Sequence, residues 1–189
     1  MPVSHPTYPD TPELVHSPFA QVLHANGPDP SRATELKLYA WLVGNWDLNV
    51  STILEDGTTH SGTGELHAGW VLQGRAIQDV WMIPRLRERK PGIEQLPGAG
   101  NWYGSTLRIY DPELGAWRIL WSDPATNFFS QQIARQDGSD IVQLGPDPRG
   151  GTMRWTFSEL KPDSFHWTAE RSLEDRSWRR EVDIRARRV

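Results

Sequence analysis

From Trp46 onward, apolar and aromatic residues alternate with polar ones at a period of two, the spacing of strands with two unlike faces. Arg75, Ile77, Asp79 and Trp81 share one such face, and Trp117, Ile119 and Trp121 share another. Trp155 and Phe157 lead into a turn from which Phe165 and Trp167 return. The last strand sets Arg180, Val182, Ile184 and Ala186 against Arg179, Glu181, Asp183, Arg185 and Arg187, a half-buried strand with a charged outer side. Turn residues punctuate the pattern at Asp56-Gly57, Gln73-Gly74, Asp111-Pro112, Asp137-Gly138, Lys161-Pro162 and Glu174-Asp175. These signals predict about ten strands and no further helix after Trp46. Short turns impose antiparallel pairing, and closing the sheet removes its edges. The expected fold is therefore all-β: an antiparallel barrel of about ten strands, with one short N-terminal helix and an extended N-terminal arm.

The arm, residues 1–28, is rich in proline and poor in periodic apolar positions. Residues 29–189 form the barrel domain. Asp29 and Pro30 read as N-cap and first helical residue, Leu36, Tyr39, Ala40 and Val43 as one helical face, and Gly44 as its end. Between strands, residues 84–100 make an unusually long connection rich in proline, glycine and charge, of the kind that serves as a lid or a surface excursion.

Hairpin pairing indicates which side chains face inward, since opposed residues share a face. A turn centred on Leu72-Gln73 sets Trp70 against Arg75, Ala68 against Ile77 and Leu66 against Asp79. The Asp111-Pro112 turn pairs Tyr110 with Trp117, Arg108 with Ile119 and Thr106 with Trp121. The aromatic face is expected inward; with the aliphatic face of Leu107, Ile109 and Leu120 inward instead, Arg108 would lie on the surface. Around Asp137-Gly138, Ile133 faces Val142, placing Phe129, Gln131 and Leu144 on the same side.

An inner face that mixes indoles, guanidiniums and a carboxylate is unusual for a plain core, because buried charge must be paired or solvated. It suits a barrel that holds a ligand. Trp81, Tyr110, Trp117, Trp121, Trp155 and Trp167 are the candidate walls, with Gln131 a polar contact. Arg75 and Arg108 would clamp an anion or carbonyl, and Asp79 would orient it or act as a base. The competing structural reading is an internal salt bridge around which the tryptophans fill the barrel. Trp46 is expected at the barrel base, Trp41 on the helix face, Trp102 near the loop exit, and Trp70 and Trp178 near strand ends.

Composition narrows the classes. Hydrophobic residues at 37% and charged residues at 23% describe a globular chain, and a formal charge of −4 with pI near 5.9 argues against nucleic acid as a partner. No apolar stretch spans a bilayer, and the start MPVSHPTYPD has no signal-peptide pattern, so the cytoplasm is the default location. The chain has no cysteine, which removes disulfides and thiol chemistry. The histidines show no metal-binding spacing, His166 is expected to point outward, and no metal or cofactor is called for. There is no nucleophile elbow, and Gly62-Thr63-Gly64 and Gly150-Gly151 open no helix and so cradle no phosphate. The terminal Arg185, Arg187 and Arg188 read as a solvated strand end.

Gly44-Asn45-Trp46 follows the short helix and opens the first barrel strand, which resembles the Gly-x-Trp start of lipocalins and other calycins. The succession LVGNWDLNV, GWVLQGRAIQDVW, YGSTLRIYDPELGAWRILW, RWTFSELKPDSFHW and SWRREVDIRARR resembles a bacterial lipocalin-like family of uncharacterised proteins over residues 36–188. The resemblance implies a calycin-type barrel with the tryptophan plugging its base, and no settled activity. Haem-binding nitrobindins carry Gly-x-Trp-x-Gly-x-Gly, whereas this chain reads Gly44-Asn45-Trp46-Asp47-Leu48-Asn49, with Leu48 in place of the second glycine. Three functions follow as expectations. The first is an intracellular barrel binding a small, largely apolar or aromatic molecule with a polar or anionic group. The second is a cofactor-independent isomerase, cyclase or lyase using Asp79 with Arg75 or Arg108. The third is a scaffold that forms a homodimer through the arm.

Overall fold

The structure, a computed structural model, describes residues 17–90, 101–172 and 177–189. Ten strands form the barrel: β2 (Gly44–Ile53), β3 (Thr59–Val71), β4 (Ala76–Ile83), β5 (Trp102–Asp111), β6 (Ala116–Asp123), β7 (Phe128–Asp137), β8 (Asp140–Pro146), β9 (Thr152–Lys161), β10 (Ser164–Ser172) and β11 (Trp178–Arg188). Each pairs antiparallel with its neighbour in sequence, β11 returns to β2, and the β3–β4 pairing closes the ring. The expected closed antiparallel barrel is what forms. The expected Glu174-Asp175 turn lies outside the described residues. No helix among the described residues is long and apolar enough to cross a membrane.

Of the expected arm, residues 1–16 lie outside the described residues, and the remainder is not simply extended. Pro18–Leu23 is a short helix, α1, and His24–Ala25 a two-residue strand, β1, paired with Val71 and Trp70 of β3. Pro18 suits a first helical position because it has no amide to leave unpaired. β2 reaches along β3 only as far as Ala68, so the overhang of β3 presents open backbone groups for β1. Asp29 then caps as expected, accepting from Ser31 N at 2.9 Å, through a turn of 3-10 helix into α2 (Ala33–Ala40).

α2 stops at Ala40, earlier than its apolar face suggested, and Leu42 and Val43 continue in tighter turns. Gly44 opens β2 at φ 133 instead of capping the helix, and the Arg188 guanidinium occupies the space a side chain there would need. α2 lays Leu36 and Tyr39 over one end of the barrel. Tyr39 meets Trp117 at 4.9 Å and Phe157 at 6.1 Å between ring centroids, edge to face. Burial pushes the Tyr39 hydroxyl well above its ordinary range, against a smaller opposing pull from Arg108.

The pairings correct the expected registers without changing most faces. β5 and β6 pair residue for residue as expected, with the aromatic face inward. Across β3 and β4, Trp70 opposes Ile77 and Ala68 opposes Asp79, two residues from the expected register. Leu72, Gln73 and Gly74 take left-handed backbone in succession, which lengthens the turn to include Arg75. A slip of two keeps each side chain on its face. β9 and β10 show the same slip: Trp167, expected against Trp155, lies opposite Phe157, beside Glu159 in left-handed backbone.

On β7 and β8 the expected inner face is the outer one. Ser130, Gln132 and Ala134 are buried, as are Ile141 and Gln143, whereas Phe129, Gln131 and Leu144 are exposed. Of the inner residues, Gln143 accepts from Arg108, and Ala134 and Ile141 join the apolar core.

Candidate functional site

A cavity of about 270 Å³ occupies the end of the barrel away from α2. Four of its walls form a closed circuit of indoles. Trp102 contacts Trp121 at 6.0 Å, Trp121 contacts Trp155 at 6.1 Å, Trp155 contacts Trp167 at 5.6 Å, and Trp167 returns to Trp102 at 5.9 Å. All four contacts are edge to face. Strand alternation explains the placement: Trp121, Trp155 and Trp167 are inner positions of β6, β9 and β10, one layer above Ile119, Phe157 and Phe165. Gly104 makes the circuit possible, since a Cβ there would overlap the Trp121 ring. Trp81 stands behind Trp167 at 5.4 Å, and Phe128, Met153, Ala169 and Val182 complete the apolar lining.

Beneath the indoles lies a polar floor. Arg108 Nε donates to Asp79 Oδ2 at 2.7 Å, Trp81 Nε1 donates to Asp79 Oδ1 at 2.8 Å, and Arg108 Nη1 donates to Gln143 Oε1 at 3.3 Å. The guanidinium also lies over the rings of Tyr39 and Phe157, at 4.9 and 5.4 Å. Asp79 and Arg108, two of the three expected catalytic residues, therefore meet as a buried pair that touches the cavity through Arg108.

At the rim, Arg149 donates to Asp147 Oδ2 at 2.8 Å and to Glu181 Oε2 at 2.7 Å. Burial alone would raise the Asp147 carboxyl, but the hydrogen bonds from Arg149 outweigh it and hold the group below its ordinary value. The same bond to Asp147 raises Arg149. Glu170 takes Arg154 Nε at 2.8 Å, and Arg154 in turn covers the Trp178 ring. Asp123 differs from these. Its Oδ1 accepts from Ala125 N at 2.9 Å and Thr126 N at 3.3 Å, whereas its buried Oδ2 accepts nothing among the described residues.

Of the expected wall residues, Trp81, Trp121, Trp155 and Trp167 line the cavity. Tyr110 and Trp117 do not: they pair with each other one layer too low and border an open cleft beside α2. Trp102, expected only near the loop exit, takes the vacated place. Gln131 points outward, and its neighbour Gln132 is the buried one. Arg75 falls in the β3–β4 turn, its side chain 68% exposed, and holds Asp29 at 2.8 Å. Arg75→Ala should therefore change stability by no more than about 0.5 kcal/mol in urea denaturation, as surface pairs do. It should also leave ligand affinity within twofold of wild type.

Sequence reasoning missed Asp123, Arg149 and the packing role of Gly104. The dipeptide Asp123-Pro124 carries the same turn chemistry as Asp111-Pro112, and that was the available signal. It could not show that one carboxylate oxygen stays free.

No family model and no curated protein matches the chain. Solved structures do share its shape. The crystal structure of Rv2717c from M. tuberculosis aligns with a TM-score of 0.55 at 10% identity, covering 86% of this chain and 99% of that one. The fold is a lipocalin-like barrel. The S-type phycobiliprotein lyase CPES from Guillardia theta aligns with a TM-score of 0.53 at 12% identity, covering 85% of this chain and 98% of that one. Identities this low make the likeness one of fold alone.

Proposed function

We propose that this protein binds a small, largely apolar or aromatic molecule carrying a polar group in the tryptophan-lined end of its barrel. The observation that carries the reading is the closed circuit of Trp102, Trp121, Trp155 and Trp167 around a cavity of about 270 Å³. Ligand pockets of roughly 300–1,000 Å³ hold drug-sized molecules; this one suits something at the small end. An anionic group is poorly served, because Arg108 and Arg149 are already paired with carboxylates.

The likeness to a phycobiliprotein lyase favours a second reading, a cofactor-independent lyase, isomerase or cyclase in the same cavity. Asp79 is badly placed as its base, since both of its oxygens accept hydrogen bonds.

Tryptophan fluorescence tests the binding reading directly. Small single- and double-ring aromatics should shift or quench the emission saturably. Ala169→Trp, which fills the cavity from β10, should weaken the response at least about tenfold while the barrel stays folded. A flat response in wild type across such a panel, or an unaltered one in Ala169→Trp, would remove the basis for the proposal.

A further inference from the structure

The charges around the cavity are not evenly satisfied, and the imbalance says what the polar group of the ligand is. Arg108 is held by Asp79 at 2.7 Å, and Arg149 by Asp147 and Glu181 at 2.8 and 2.7 Å. Glu170 is held by Arg154 at 2.7 Å, and Glu181 also takes Arg179 at 3.0 Å. That leaves Asp123, 1% exposed, with no salt bridge among the described residues and with Oδ2 buried and unpartnered. A buried carboxylate oxygen without a donor is costly, so the site favours a ligand that brings positive charge close to Asp123.

The walls favour the same kind of ligand. An indole face carries negative potential and attracts cations, Trp most strongly of the aromatic residues. Each edge-to-face contact covers one ring face with its neighbour's edge, so the four contacts take up only half of the circuit's indole faces. With sides of 5.6 to 6.1 Å, a cation at the centre of such a circuit comes within the ~6 Å reach of a cation–π contact from each centroid. Trp121 and Asp123 are alternate residues of one strand, so they share its inner face and join the cage to the carboxylate.

We infer that the cavity recognises an organic cation, a quaternary or protonated amine on a small apolar or aromatic body, with the tryptophan circuit enclosing the charge and Asp123 Oδ2 as its counter-ion. The inference rests on the binding function proposed above and specifies its ligand class.

Three probes of one shape test it by calorimetry: phenyltrimethylammonium, uncharged tert-butylbenzene and anionic 2-methyl-2-phenylpropanoate. Wild type should bind the cation at least about tenfold tighter than either of the others. Asp123→Asn keeps an oxygen for the Ala125 and Thr126 amides, and should cut cation affinity about tenfold while leaving tert-butylbenzene within twofold. If tert-butylbenzene or the anion binds wild type as well as the cation, the cation inference is wrong and the cavity reading survives. If none of the three binds, the inference falls, and the aromatic panel then decides the cavity reading separately. A cation preference unchanged in folded Asp123→Asn would overturn the role given to Asp123. Should that variant fail to fold, the wild-type series alone decides the ligand class.

Discussion

Arg108→Met should lower folding stability by about 3–5 kcal/mol, the usual result of removing one partner from a buried ion pair. Asp79 is fully buried and its Oδ2 has Arg108 as its hydrogen-bonding cation at 2.7 Å. Without the guanidinium the carboxylate keeps one bond, from Trp81 Nε1. The contacts over Tyr39 and Phe157 go with the charge, and Gln143 Oε1 loses its donor. Urea denaturation should show a lower midpoint at an unchanged slope. The double variant Asp79→Leu/Arg108→Met should recover at least half of the loss, since no charge then stays buried and unpaired. That asymmetry separates a pair that organises the floor from one whose attraction outweighs its desolvation. A single-variant loss below about 1 kcal/mol would show that water reaches Asp79 freely and that the floor is not sealed.

This pair also bears on the two readings that the sequence left open. Arg108 and Asp79 satisfy one another, so the salt-bridge reading holds for them. The tryptophans nevertheless leave a cavity, so the bridge does not imply a filled barrel.

Most of the architecture was legible because strand alternation is a local property. The β5–β6 hairpin could be paired residue for residue, since Asp111-Pro112 and Gly115 define its turn. Faces survived elsewhere because the register errors were of two residues. Arg75 was lost because three left-handed residues lengthen the turn before it, and only Gly74 announces that backbone in the sequence. Gln131 was lost for a different reason. Choosing the aliphatic face of β7 and β8 as inner assumes that inner positions are apolar, and here Ser130, Gln132 and Gln143 occupy three of them. The site itself was half legible. Alternation placed Trp81, Trp121, Trp155 and Trp167, but how far along the barrel axis a residue lies depends on strand stagger. That stagger puts Trp117 under α2 and Trp102 in the cage. Which charges remain unpaired is a long-range property, fixed by contacts such as Arg149 with Glu181, thirty-two positions apart in the chain.

Trp46→Ala should cost about 3–5 kcal/mol, as large aromatic truncations in a core do. For a domain of this length that corresponds to a fall of roughly 10 °C in the melting temperature. Trp46 is fully buried, donates from Nε1 to Leu42 O at 2.8 Å, and packs edge-on against Phe165 at 4.9 Å. Arg188 lies 4.0 Å over its ring and donates to Val43 O at 2.9 Å and Pro162 O at 2.8 Å. The last strand is thereby fastened to the turn that follows α2. The expected plug is thus a two-part closure, indole and guanidinium, and the space left by Gly44 admits the second part. Trp46→Phe should cost less, about 1–2 kcal/mol, because it keeps a ring under Arg188 and loses the indole hydrogen bond. Since Trp46 closes the end away from the cage, the folded fraction of either variant should bind cavity ligands within twofold of wild type. A large loss of affinity in folded Trp46→Phe would mean that the two ends of the barrel are coupled, and that the tryptophan circuit takes its shape from the base.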